Sequence, residues 1–360
     1  MNGFGRAAVG VTTILVLTAT SAGSAVAAAR PDDQATCSIV ATLPSFGTGA
    51  SSAIAINRSG VVVGQASPAP GTRRVPVEWI SGVPTVIPIP AEFIRGAASD
   101  INDRGQVVGA VFDAAGNLHG FSYDGSSVTM LPMLPGGTYT YARRINASGQ
   151  IAGAADTADG TTYAVRWDSA TSPPVRLEPA AGNNSSFSKG INDRGQMAGD
   201  SDITTPTDLF EYAAVWTESG QVRVYPGIGG PGTDGEIFEI NNDGTTAGDS
   251  ATGTDFDSPD FQIRATVWTG SGRPIDLGTL PGDTFSEALG LSPDGVVAGI
   301  SVSPDGVNHA FYWPGHGPML ALPTPDGTSN SFAHEVTRSH VIVGEVDPAG
   351  GVPEGVLWQC

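Results

Sequence analysis

The amino-acid sequence predicts an all-β fold, a seven-bladed β-propeller with four strands per blade, and three observations predict it. A short motif recurs seven times, a large aromatic residue follows it at one fixed place, and the only two cysteines bracket the array. The motif is an apolar residue, usually Asn next, then two glycines. Its copies are Ile56-Asn57…Gly60…Gly64, Ile101-Asn102…Gly105…Gly109, Ile145-Asn146…Gly149…Gly153 and Ile191-Asn192…Gly195…Gly199. Ile240-Asn241…Gly244…Gly248 and Leu291-Ser292…Gly295…Gly299 follow, and a degraded copy runs Val336-Thr337…His340…Gly344. Successive starts lie 45, 44, 46, 49, 51 and 45 residues apart. That period suits a propeller blade, and no amphipathic helix fits inside it.

Before the first copy, residues 1–29 read as a secretory signal peptide. Arg6 precedes an apolar run from Ala7 to Leu17, and small residues end at Ala27, Ala28 and Ala29, with cleavage expected after Ala27 or Ala29. The run is too short to span about 30 Å of hydrocarbon, and no later run is longer. A secreted chain without a membrane span is therefore expected, with residues 30–360 as a single propeller domain.

Within that domain the repeats start near residues 52, 97, 141, 187, 236, 287 and 332, and each resolves into four strands. In the second copy these are Ala97–Ile101, Gln106–Val111, Leu118–Tyr123 and Val128–Leu134. Asn102-Asp103-Arg104-Gly105 has the side chains of a tight hairpin turn. One carboxylate per turn is too few for calcium, so these segments are turns rather than metal loops. Pro135-Gly136-Gly137 carries the chain to the next sheet.

The aromatic residues keep the same register. All six tryptophans, Trp79, Trp167, Trp216, Trp268, Trp313 and Trp358, share one repeat position, and Tyr123 fills the remaining slot. A large aromatic at one place per repeat reads as packing between neighbouring sheets. These segments resemble the HAF-repeat family of secreted bacterial proteins. The resemblance rests on His309-Ala310-Phe311-Tyr312-Trp313, on Asp276-Leu277-Gly278-Thr279-Leu280-Pro281-Gly282 and on the Ile-Asn-Asp-Arg-Gly-Gln turns at 101–106 and 191–196. It implies an extracellular β-rich repeat array and brings no reaction or ligand with it. Tyr163-Ala164-Val165-Arg166-Trp167 departs from the pattern by lacking the His and Phe, which argues that the motif is architectural.

The seventh repeat stops at Trp358-Gln359-Cys360, without a fourth strand. Ser38–Pro44 looks like the fourth strands Val128–Pro132 and Met319–Pro323, so the last blade is expected to be built from both termini. That closure hides the terminal edges. It also brings Cys37 and Cys360 to the two sides of one seam, where an oxidising compartment permits a disulfide.

Composition narrows the function. Loss of Arg6 with the signal leaves 16 basic against 36 acidic residues, a charge of −20. Nucleic acid is thereby disfavoured as a partner. No pair among the five histidines has zinc-ligand spacing, and neither a nucleophile elbow nor a phosphate-binding loop is present. No catalytic residue, metal or cofactor is assigned.

Comparison among repeats points to a ligand site. Positions one and two before the repeat's apolar residue vary and are often charged: Ser99 and Asp100, Arg143 and Arg144, Lys189, Glu239, then His334 and Glu335. The residue three before is small in six copies, which crowding of inner strands at the axis would explain. Asp100, Arg143, Arg144, Lys189, Glu239, His334 and Glu335 are thus expected at a channel mouth, with Tyr139, Tyr141, Phe187, Phe285 and Phe332 on adjoining loops. Mixed charge with aromatic surface suits a polar ligand such as a glycan. The expected function is a secreted, non-catalytic binding module for an extracellular glycan or protein, acting as a monomer. A propeller enzyme using carboxylates on extracellular polysaccharide and a structural envelope protein are the alternatives.

Overall fold

The computed structural model describes residues 37–360 apart from 206, 256, 257 and 259. The signal-peptide segment lies outside the described residues. Seven four-stranded antiparallel sheets make seven blades, and no helix occurs among the described residues. The inner strands are Ser51–Ile56, Phe93–Ile101, Thr140–Ile145, Ser185–Ile191, Gly235–Ile240, Phe285–Leu291 and Asn330–Val336, for blades one to seven. Each touches the inner strands of both neighbours, the first and seventh included, so the ring closes.

Closure follows the predicted scheme. Ser38–Leu43 pairs antiparallel with Glu354–Gln359 as the fourth strand of blade seven, and Cys37 and Cys360 form a disulfide across that seam. Blade two differs in detail from its expected strands. Its inner strand begins at Phe93, four residues early, and its fourth strand, Val128–Met130, ends before Pro132, which has no N–H to donate.

Hydrogen bonds between blades explain the repeated residues. Trp79, Trp167, Trp216, Trp268 and Trp358 are fully buried. Their Nε1 atoms donate to Pro44, Pro132, Glu178, Pro226 and Pro323, carbonyls at the fourth-strand ends of the preceding blades, at 2.7–2.9 Å. Pro44 follows the N-terminal strand, so Trp79 treats that strand as part of blade seven. Trp313 is the exception and donates to Gly317 of its own blade.

The motif asparagine works in two directions. Asn146 Oδ1 accepts from the backbone N–H groups of Ser148 and Gln150, fixing its own turn. Its Nδ2 donates to Asn192 O at 3.1 Å, one blade on. The same link joins Asn57 to Asn102, Asn102 to Asn146 and Asn192 to Asn241, an arc over blades one to five. Replacing buried Asn146 by alanine removes both functions, and a loss of about 1–3 kcal/mol is expected in urea unfolding. An unchanged midpoint would count against the arc as a stabilising feature.

The middle residue of the His-Ala-Phe segment also faces a neighbour. The N–H groups of Ala164, Ala265 and Ala310 donate to Ser186, Ser286 and Ser331 of the next blade at 2.8–3.0 Å. Close approach here corrects one expectation about the small residue near each inner strand's end. A Cβ on Gly120 would lie 3.1 Å from Ala142 N, and one on Gly355 would lie 3.2 Å from Ala53 N. Crowding between blades, rather than at the axis, keeps that position small.

Candidate functional site

All seven inner strands carry a β-bulge at the same place. The ladder skips Ile54, Ser99, Arg143, Lys189, Phe238, Leu289 and His334 in turn. A bulge breaks the strict in–out alternation of a strand and re-aims the side chains beside it. The skipped residue and its successor thereby both become available to the axis. Every variable residue pair singled out by repeat comparison occupies such a bulge.

On the successor positions a charge network spans the axis. Arg144 of blade three reaches past blade four, where the equivalent residue is Gly190, to Glu239 of blade five. Its Nε donates to Glu239 Oε2 at 2.7 Å and its Nη1 to Ser99 O at 3.2 Å. Asp100 of blade two accepts from its neighbour Ile101 N and from Ile145 N, both at 2.8 Å. Glu335 of blade seven lies within electrostatic reach of Arg144 and Asp100. Side chains from four blades meet here, which only the axis permits. Burial raises the carboxyls of Asp100, Glu239 and Glu335 above their ordinary values, with Arg144 opposing. Arg144 and Glu239 are therefore paired, with Asp100 and Glu335 in their electrostatic field.

The other predicted residues are all half-buried: Tyr141, Arg143, Phe187, Lys189 and His334. Tyr141 and Phe187 rings stand 5.8 Å apart, and Phe332 stacks on His334. Arg143 Nη1 donates to the Tyr141 hydroxyl at 3.2 Å. Burial opposes ionisation of that phenol, but Arg143 overrides it and holds the pKa below the ordinary value. Burial, aided by Arg143 and Arg144, pushes His334 down to about 4. It is a neutral imidazole at neutral pH. Tyr141, Phe187, Phe285 and Phe332 were expected on loops but lie within inner strands; Tyr139 alone precedes its strand.

Repeat comparison did not single out the densest group of acids. Lys189 Nζ sits 2.6 Å from Asp200 Oδ1 and also pairs with Glu236. Asp200 pairs with Phe187 in the ladder, Asp202 with Glu211, and Glu236 comes from the inner strand of blade five. Burial, then the neighbouring carboxylates, raises Asp202 and Glu211 well above the carboxylate range. Burial also opposes charge on Glu236, yet Lys189 holds its carboxyl below the ordinary value. A signal for this group exists in the sequence. The residue after the second motif glycine is apolar at Ala110, Ala154 and Ile300 but acidic at Asp200, Asp249 and Glu345.

No family model and no curated protein sequence matches the chain. Solved structures do. The β-propeller domain of the Trilobed protease from Pyrococcus furiosus, described as having an open velcro topology, matches with a TM-score of 0.57 and 11% identity over 87% of this chain and 93% of that one. Puromycin hydrolase, as an S511A mutant complexed with PGG, matches with a TM-score of 0.54 and 14% identity over 87% of this chain. The chain spans about half of that hydrolase, 52%. The BP39L lectin from Burkholderia pseudomallei matches more loosely, with a TM-score of 0.40, 12% identity, and coverage of 85% and 94%. At these identities the likeness shows the fold alone.

Proposed function

We propose that this protein is a binding module that takes a polar, glycan-like ligand at the loop-bearing mouth of its axial channel. The observation that carries the reading is the sevenfold bulge. It presents Arg143, Lys189 and His334 beside the aromatic surface of Tyr141, Phe187 and Phe332, at half-buried positions that water reaches. Sugars offer apolar C–H faces to aromatic rings and hydroxyls to charged groups, and this combination serves both. The closed ring supplies rigidity, which lowers the entropic cost of binding. The disulfide suits an oxidising, extracellular setting, where such ligands occur.

A glycan array followed by calorimetry tests the reading. The hit is expected to weaken about tenfold or more in Tyr141→Ala and Phe187→Ala, in the range of a lost aromatic contact. Binding that is indifferent to both substitutions, or absent across the array, would remove the proposal. Turnover of an oligosaccharide that disappears in Glu236→Gln would replace binding with hydrolysis.

A further inference from the structure

Between blades four and five, Asp200, Glu211 and Glu236 bring carboxylate oxygens within 4.8 Å of one another. They arrive from three strands, Met197–Thr204, Leu209–Trp216 and Gly235–Ile240, so the folded sheets hold the oxygens together. Asp200 is 1% exposed. An all-carboxylate donor set is the preference of hard divalent cations. Bonds of about 2.3–2.6 Å to calcium are compatible with an oxygen spread of this size.

A second observation points to the same ion. Asp202 is 6% exposed, stands beside Asp200, and faces Glu211 across the ladder, yet its Oδ1 has no hydrogen-bond partner. A buried carboxylate oxygen left so is costly unless a proton or a cation meets it. Among the described residues, Lys189 is the one base in ion-pair contact with these acids. One ammonium thus faces four acidic side chains, with Asp249 and Glu287 nearby. Lys189 Nζ also lies 5.0 Å from the Phe238 ring centre and 5.9 Å from that of Phe187, aromatic faces that favour a cation.

We infer that Asp200, Glu211 and Glu236, with Asp202 as fourth donor, form a calcium-class divalent-cation site, and that Lys189 fills it until the metal displaces the ammonium. Water and bidentate carboxylates complete the six to eight oxygens that calcium takes. The site shares Lys189 with the proposed ligand surface at the channel mouth, but calcium binding is read directly and its failure leaves glycan binding a separate question.

The test uses the oxidised full chain, stripped with EDTA and dialysed, then titrated with CaCl2 or MgCl2. Calcium is expected to give a binding isotherm and to raise Tm by about 4 °C at a hundredfold excess over Kd. Glu211→Gln should weaken calcium binding at least tenfold, and Lys189→Met should strengthen it. The exposed-carboxylate control Asp294→Asn should leave it unchanged. If Glu211→Gln fails to fold, Asp202→Asn takes its place with the same expected loss. Absence of both heat and Tm shift in the unmodified protein would overturn the inference. So would calcium binding of full strength in Glu211→Gln and Asp202→Asn, or stronger binding of magnesium than of calcium.

Discussion

Replacing Arg144 with methionine is expected to lower the unfolding free energy by about 3–5 kcal/mol at neutral pH. Methionine keeps most of the side-chain bulk, so the loss isolates the charge. Arg144 is 5% exposed, and its removal strands Asp100, Glu239 and Glu335 around an axis with no other base in ion-pair contact with them among the described residues. Their carboxyls are already raised by burial and would rise further. A carboxyl whose folded pKa exceeds its unfolded value contributes stability below the unfolded value, about 4, and loses it as pH climbs through the folded one. The deficit should therefore be small near pH 4 and grow toward pH 8. Urea unfolding at several pH values measures this, and a deficit independent of pH would show that the guanidinium acts through packing alone. Adding Glu239→Gln to Arg144→Met should recover part of the loss, because the amide removes one stranded charge.

Converting both Cys37 and Cys360 to serine should cost about 2–5 kcal/mol. The bond closes a loop spanning 323 residues, and chain-entropy reasoning places so long a loop near the top of that range. The strand pairing of Ser38–Leu43 with Glu354–Gln359 and the Trp79 bond to Pro44 remain in the variant. The ring should still form, with near-native circular dichroism and a lower midpoint. A loss under about 0.5 kcal/mol would mean that the six-residue strand closes the ring unaided.

The fold was largely legible because each blade repeats the same solution to the same packing problem. Ile145-Asn146 and Trp167 mark the register, and Ser38–Pro44 with two terminal cysteines marks the seam. Individual strand ends were less so: Phe93 joins the inner strand of blade two without any motif to announce it. The site was legible in part. Variation at Arg143, Lys189 and His334 pointed to the axis, since residues freed from packing can differ. Which of them engage one another depended on distances no repeat comparison contains, as when Arg144 passes Gly190 to reach Glu239. Asp200, Glu211 and Glu236 are scattered over three strands, and only the contact between blades four and five makes them one group.

Sharing the last blade between the two ends of the chain sets an order of assembly. During synthesis Ser38–Leu43 appears first, while its partner Glu354–Gln359 appears last, so the earliest strand must wait with an unpaired edge until everything else exists. Contacts of such sequence separation form late, after the six blades between them have folded and brought the ends together. On the completed ring the cysteine bond joins the two ends covalently. It acts as a covalent latch beside the strand pair that joins the first strand to the last.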